Sequence, residues 1–385
     1  MEKKLRQSNF ELLRIISMVL IVMSHCDELF GLAELYSTAT GVNKLITDWL
    51  HIGGQIGVGC FLLISGYFMV EQTVSARKLL KLTGEVWAYT VGIWLCWTIV
   101  EACRGGLDFG SCMTEAVYAF FPVLSGHYWF VTAYVILMVL SPFFNKLIFA
   151  LNQREYRKLL ACLLLIFVLL QGGFPHVLPD MSEGRLIPVF ILYFLAGYLK
   201  RFRTGRKGNA NRHFAVAVLG YLLLFASAYG ITFLGNYLHS EALVSYRYFY
   251  RPLNSPFVVV ICVELFIGFM ETDMNYHKRI NEIAGCTFGV YLIHQNRLMR
   301  LALCKWFPIY RQTRSLSILV YSLLSVLAIF GACTAVDYVR KRTLEKGWMR
   351  LLDRYLGRVQ SRLLITADRI SALAKELGGR YYKTR

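Results

Sequence analysis

Charge is scarce in this chain: Asp, Glu, Lys and Arg together make up 17% of its 385 residues, and only 24 of them are acidic. An ordinary soluble domain carries about a quarter charged residues, so that class is excluded. The motifs of soluble catalysts are missing as well. There is no G-x-S-x-G elbow, no Walker loop, no H-E-x-x-H pair and no G-x-G-x-x-G fingerprint, which leaves serine-elbow hydrolysis, phosphoryl transfer, zinc hydrolysis and dinucleotide redox chemistry without a carrier. The ten cysteines include no C-x-x-C pair, and no metal centre is expected. They read as small buried hydrophobes, with Cys103 and Cys112 as the one candidate bridge. No Gly/Ser-rich linker and no internal repeat interrupts the chain, so a single unit with a tail is expected.

Apolar residues are abundant instead. The chain is 56% hydrophobic and 15% aromatic, and its mean hydropathy is +0.47. Windows long enough to cross a bilayer recur at about 10–30, 52–71, 84–103, 128–148, 159–173, 186–200, 214–235, 254–271, 283–302 and 315–339. These define an all-α, polytopic integral membrane helix bundle of about ten transmembrane helices. Because cytoplasmic loops collect Lys and Arg, the basic residues set its orientation. With the N-terminus inside, 32 of the 42 fall on the cytoplasmic side and eight outside, while Arg297 and Arg300 lie within the ninth window. Both termini are therefore expected in the cytoplasm. The net charge of +18 follows from this topology and from contact with anionic lipid, and no nucleic-acid partner is needed to explain it.

The unit is expected to span 1–340. Residues 341–385 then form a basic cytoplasmic tail, in which Trp348, Leu351, Leu352, Tyr355, Leu356, Val359 and Leu363 recur at helical spacing. That pattern suits an amphipathic helix lying on the leaflet, a solvated extension being the alternative. Ser24 to Asp27 offers no small-residue cleavage site, so the first span is expected to be retained.

Ionisable groups inside a membrane cost several kcal/mol and are functional candidates by default. Arg14 and His25 stand eleven residues apart in the first window, about three helical turns, so both project from one face roughly 16 Å apart along the axis. Arg14 alone has a plain alternative, pairing with Glu11 one turn earlier. An imidazole can titrate near neutral pH, which marks His25, and a second histidine, His294, lies in the ninth window with Thr287 and Tyr291 on the same helical face. Glu264 is the most deeply placed carboxylate, suited to orienting a histidine or pairing with Arg297 or Arg300. Gly54, Gly57, Gly59 and Gly66 allow close helix approach, and Ser65 adds a polar contact. His127, Tyr128 and Trp129 read as an interfacial aromatic group.

In order, the chain carries an Arg and a His with ten residues between them (Arg14, His25), G-V-G-x-F-x-x-x-S-G-Y from Gly57, H-Y-W-F-V from His127 leading to S-P-F-F-N, and T-F-G-V-Y-L-I-H ending at His294. Together these resemble the acyltransferase 3 family of membrane O-acyltransferases. The resemblance implies about ten spans, a cytoplasmic acyl-CoA donor, usually acetyl-CoA, and acylation of a hydroxyl on a glycan or lipid-linked glycan, in the plasma or inner membrane. It carries catalytic roles onto Arg14, His25 and His294, and substrate contacts onto Ser65, Trp129 and Tyr291, with Glu264 added from its depth. Leu62 and Thr287-Phe288 depart from the family pattern, and position 288 lacks a tyrosine hydroxyl. His25 is the expected base, Arg14 the donor-phosphate or pantetheine contact, and His294 a second proton-transfer or oxyanion group. The basic run KRFRTGRK at 200–207 is a further candidate for attracting the donor nucleotide. A flippase of lipid-linked glycans is the competing function. A non-catalytic scaffold would leave the Arg14 and His25 pairing unexplained.

Overall fold

The computed structural model describes residues 6–29, 42–72, 75–174, 186–205, 208–308 and 317–358, and among them every regular element is helical. In chain order these are α1 (Ser8–Leu29), α2 (Val42–Ile52), α3 (Gly54–Met69), α4 (Ala76–Cys103), α5 (Phe109–Phe120), α6 (Trp129–Ala150), α7 (Gln153–Gly173), α8 (Leu186–Phe202), α9 (Ala210–Tyr237), α10 (Glu241–Ser245), α11 (Pro256–Glu271), α12 (Lys278–His294), α13 (Arg297–Trp306) and α14 (Ile318–Arg358). Polar caps set several starts. Ser75 accepts from Lys78 N, Asn152 and Glu155 form a capping box, Asn209 caps α9, and Pro256 opens α11.

Among the described residues seven helices are long and apolar enough to cross a membrane: α1, α2 with α3, α4, α6, α7, α9 and α14. The other three expected windows fall on α8, α11 and α12, which have 17, 16 and 17 residues. At 1.5 Å per residue they are only about 24–26 Å long, shorter than a hydrocarbon core. Such short helices are tolerable because they are wrapped by neighbours: α3 packs on α1, α8 and α11, while α12 packs on α1 and α14. The long helix α9 packs on α11 and turns most of its apolar surface outward.

Two close approaches depend on glycine. A Cβ on Gly57 would lie 2.3 Å from the Ser17 carbonyl oxygen of α1, and one on Gly289 would lie 2.3 Å from Cγ of Asp337 in α14. Both pairs bring backbone to within contact of the neighbouring helix, the condition for tight packing in lipid.

Three expectations change. Arg297 and Arg300 are not in the ninth span, because α12 stops at His294 and Asn296 caps a separate helix, α13, by accepting from Leu298 N and Met299 N. Arg297 there pairs with Glu115 at 3.3 Å. Cys103 and Cys112 are both free, and Cys96, Cys103 and Cys162 are exposed where burial was expected, on helices whose outer faces are apolar. Residues 341–358 continue the last helix and run back along α4: Trp348 lies over Gly84, Leu352 is buried, and Arg77 grips Asp353 with two hydrogen bonds of 2.6 and 3.0 Å. Val359 and Leu363 lie outside the described residues.

Candidate active site

Helices α1 and α12 run parallel and in register. At one end the Ser8 hydroxyl accepts from the backbone N–H of His277 and from the Asn281 amide, both at 2.8 Å. His25 follows Ser8 by the same seventeen residues that separate His294 from His277. The rise per residue is equal, so the two imidazoles arrive at one level about 26 Å along. His25 Nδ1 and His294 Nε2 are 3.0 Å apart, with the rings tilted by 36°.

The proton positions follow from a backbone carbonyl. His294 Nδ1 lies 2.6 Å from the Val290 oxygen, which only accepts, so the proton is on Nδ1. A neutral His294 then presents the Nε2 lone pair to His25, whose Nδ1–H donates to it. His25 Nε2 is left with a lone pair, which is what a general base requires. His294 thus holds the imidazole of His25 in one tautomer and one orientation, the task a carboxylate performs in a serine triad.

Tyr128 fixes the end of α12 that carries this pair. It is 1% exposed, its hydroxyl donates to the Leu292 carbonyl at 2.8 Å, and it accepts from the Asn296 amide at 3.1 Å. The interfacial reading of the H-Y-W-F segment therefore holds poorly for Tyr128. The next two residues separate: Trp129 lines one cavity and Phe130 another.

Each cavity reaches the histidines only through a neighbouring residue, Tyr291 for one and Arg251 for the other. The first, about 240 Å³, is lined by Arg14, Ser65, Phe130, Tyr134 and Tyr291 among others. Ser65 hydrogen-bonds Tyr134, and the Tyr291 ring stands edge-on to His294 at 6.1 Å. Arg14 reaches Glu11 at 3.4 Å, as its plain alternative requires, yet its buried Nε has no hydrogen-bond partner among the described residues. The second cavity, also about 240 Å³, is lined by Gln55, Trp129, Tyr248, Arg251 and Asn254. Arg251 donates to the hydroxyl of Ser24, beside His25, at 3.5 Å.

The Arg14 cavity shares Arg6 and Gly285 with a wider vestibule of about 460 Å³. Five cations, Arg6, Lys81, Lys341, Arg342 and Lys346, line that vestibule against the three carboxylates Glu85, Glu282 and Glu345; of the cations Arg6 also pairs with Glu11 at 3.6 Å, Lys81 with Glu345 at 2.6 Å and Lys341 with Asp337 at 3.1 Å. The balance favours an anion. By contrast the described cations of the 200–207 run are occupied in packing: Lys200 pairs with Glu71 at 3.0 Å, Arg201 donates to the carbonyls of Ile148 and Leu151, and Arg203 pairs with Glu271 at 2.8 Å, while Arg206 and Lys207 lie outside the described residues.

Arg14, Ser65 and Tyr291 therefore line one cavity and Trp129 another, while His25 and His294 pair with each other. Glu264 does not join them. It orients a histidine, but that histidine is His213 at 2.5 Å, in a separate cluster with Arg203 and Glu271 at the far ends of α9 and α11. Sequence reasoning missed Tyr128 as a support, Gln295 beside the base and Arg251 beside Ser24. For Gln295 and Asn296 the signal was present, two amides directly following a membrane-buried histidine.

A model of the acyltransferase 3 family, described as an acyltransferase domain, matches residues 7–337. The chain belongs to that family and is a multi-pass membrane acyltransferase. No curated relative and no solved structure matches it.

Proposed function

We propose that this protein is an O-acetyltransferase of the plasma or inner membrane, using cytoplasmic acetyl-CoA to acetylate a hydroxyl of an envelope or exported polysaccharide or its lipid-linked precursor. The observation carrying this reading is the buried His25–His294 pair, whose bond to the Val290 carbonyl leaves a lone pair on His25 Nε2. In this account the CoA phosphates rest in the basic vestibule, the donor arm passes Arg14, and the thioester reaches the histidines along the Arg14 cavity. The forked, permanently charged guanidinium suits phosphate or amide contacts. The acceptor enters from the Arg251 side.

His25 Nε2 takes the proton as the acceptor oxygen attacks the thioester carbonyl carbon. His294 steadies the imidazolium, and the hydroxyls of Ser65 and Tyr291, which line the Arg14 cavity, serve as donors to the oxyanion. Collapse of the tetrahedral intermediate breaks the carbon–sulfur bond, and the leaving thiolate recovers the proton from His25. The products are the O-acetyl ester and free CoA. A flippase would need one passage open alternately to both faces and has no use for a base held in one tautomer.

The test is radiolabelled acetyl-CoA with purified protein in liposomes and a crude envelope-glycan extract, with His25→Ala in parallel. Label transfer is expected for the native protein and none for the variant. Folded His25→Ala that transfers label normally refutes the assignment.

A further inference from the structure

Gln295 caps α12, its backbone N–H bonded to the Tyr291 carbonyl at 3.1 Å. Its side-chain amide nitrogen lies 2.8 Å from His25 Nε2 and 3.2 Å from Nδ1. The nearer nitrogen is the one left with a lone pair by the Val290–His294–His25 chain, so the Gln295 N–H donates to the base itself. The other half of that amide is unsatisfied: Oε1 is buried and has no hydrogen-bond partner among the described residues. Buried polar atoms are nearly always paired, and an orphan acceptor beside a base needs an explanation.

A substrate supplies one. An acceptor hydroxyl that delivers its proton to His25 Nε2 must displace the Gln295 N–H from that lone pair. The orphan Oε1, rigidly tied to the same planar amide, then needs a donor within a few ångströms of the attacking oxygen. Hydroxyls on neighbouring carbons have that spacing. We infer that Gln295 is a specificity residue that reads a vicinal diol: one hydroxyl sits on His25 Nε2 and is acetylated, while its neighbour donates to Gln295 Oε1. This inference rests on the acyl-transfer reading above and narrows its acceptor. It assigns the acetyl group to a secondary sugar hydroxyl with a free hydroxyl on the adjacent carbon. An exocyclic primary hydroxyl is disfavoured, because its neighbouring ring carbon bears the ring oxygen, which has no proton to give. The reading head is rigid, since Tyr128, through Leu292 and Asn296, holds the backbone on either side of Gln295.

The experiment uses the full chain in liposomes with labelled acetyl-CoA and the envelope-glycan extract, followed by assignment of the acetylated carbon by NMR and mass spectrometry. The native protein is expected to acetylate a secondary position flanked by a free hydroxyl. Gln295→Met, similar in size but without polar atoms, should lower transfer about ten- to a hundred-fold, leave CoA affinity unchanged and spread label over several positions. Acetate on a primary or isolated hydroxyl overturns the inference while leaving the transferase reading intact, and the native product decides this even if the variant fails to fold. A folded Gln295→Met with native rate and regiochemistry also overturns it. Absence of any transfer by the native protein refutes the transferase reading and this inference with it.

Discussion

Replacing Tyr128 with Phe removes one oxygen and tests whether the H-Y-W-F segment positions the site or only marks an interface. The hydroxyl is buried and joins three parts of one corner: its own helix start, the Leu292 carbonyl near the end of α12, and the Asn296 amide that opens α13. Leu292 is among the last residues of α12, whose final carbonyls have no partner within the helix. Without Tyr128 the Leu292 oxygen and the Asn296 N–H both lose a partner, and each buried orphan costs about 1–3 kcal/mol. The chain can lower that cost by letting the Leu292–Asn296 turn shift, but His294 and Gln295 lie inside that turn. If about 2 kcal/mol falls on the transition state, transfer slows roughly thirty-fold. The assay is single-turnover acetyl transfer alongside thermal unfolding in detergent. A fall in kcat with unchanged acetyl-CoA affinity is expected, together with a modest loss of melting temperature. Native rate and native melting in Tyr128→Phe would refute the claim that this hydroxyl holds the histidine pair.

Arg14→Lys should raise the KM for acetyl-CoA several-fold with a smaller effect on kcat, because a point charge replaces the fork; steady-state kinetics at varied donor concentration checks this. Glu264→Gln should leave the transfer rate and regiochemistry of folded protein native, since Glu264 serves His213 and not the site, and a loss of kcat without unfolding would contradict that placement. Gly289→Ala should destabilise the bundle by about 1–3 kcal/mol. The new methyl meets Asp337, which is fully buried and held by Tyr89 at 2.6 Å and Arg340 at 2.8 Å. Detergent-scanning thermal melts measure this loss.

Much of the architecture was legible because lipid imposes one-dimensional rules. A segment must be apolar over a set length and must satisfy its backbone internally, so the ten windows all fall on helices and the glycines of α3 fall at close contacts. Arg14, His25, Tyr291 and His294 were singled out because an ionisable or polar side chain among apolar neighbours stands out. Hydropathy does not register where a helix stops inside a long window, so Arg297 and Arg300 were placed in a span that ends at His294. Nor does charge content separate a cation already engaged from one facing a cavity. The 200–207 run therefore read as a nucleotide site, while the basic vestibule is assembled from α1's entry, α4 and the end of α14.

The sequence by itself determined that this is a helical membrane protein, and its motifs pointed to the acyltransferase 3 family, because composition, periodicity and motif order are properties of the chain alone. Tertiary structure decided which groups meet. The equal seventeen-residue intervals in α1 and α12 become a histidine pair only when Ser8 is bound to His277 and Asn281, and the proton on that pair is assigned only by the Val290 carbonyl. Glu264 was drawn to His213 for the same reason. Partners separated by hundreds of residues are selected by packing geometry, which no local pattern encodes.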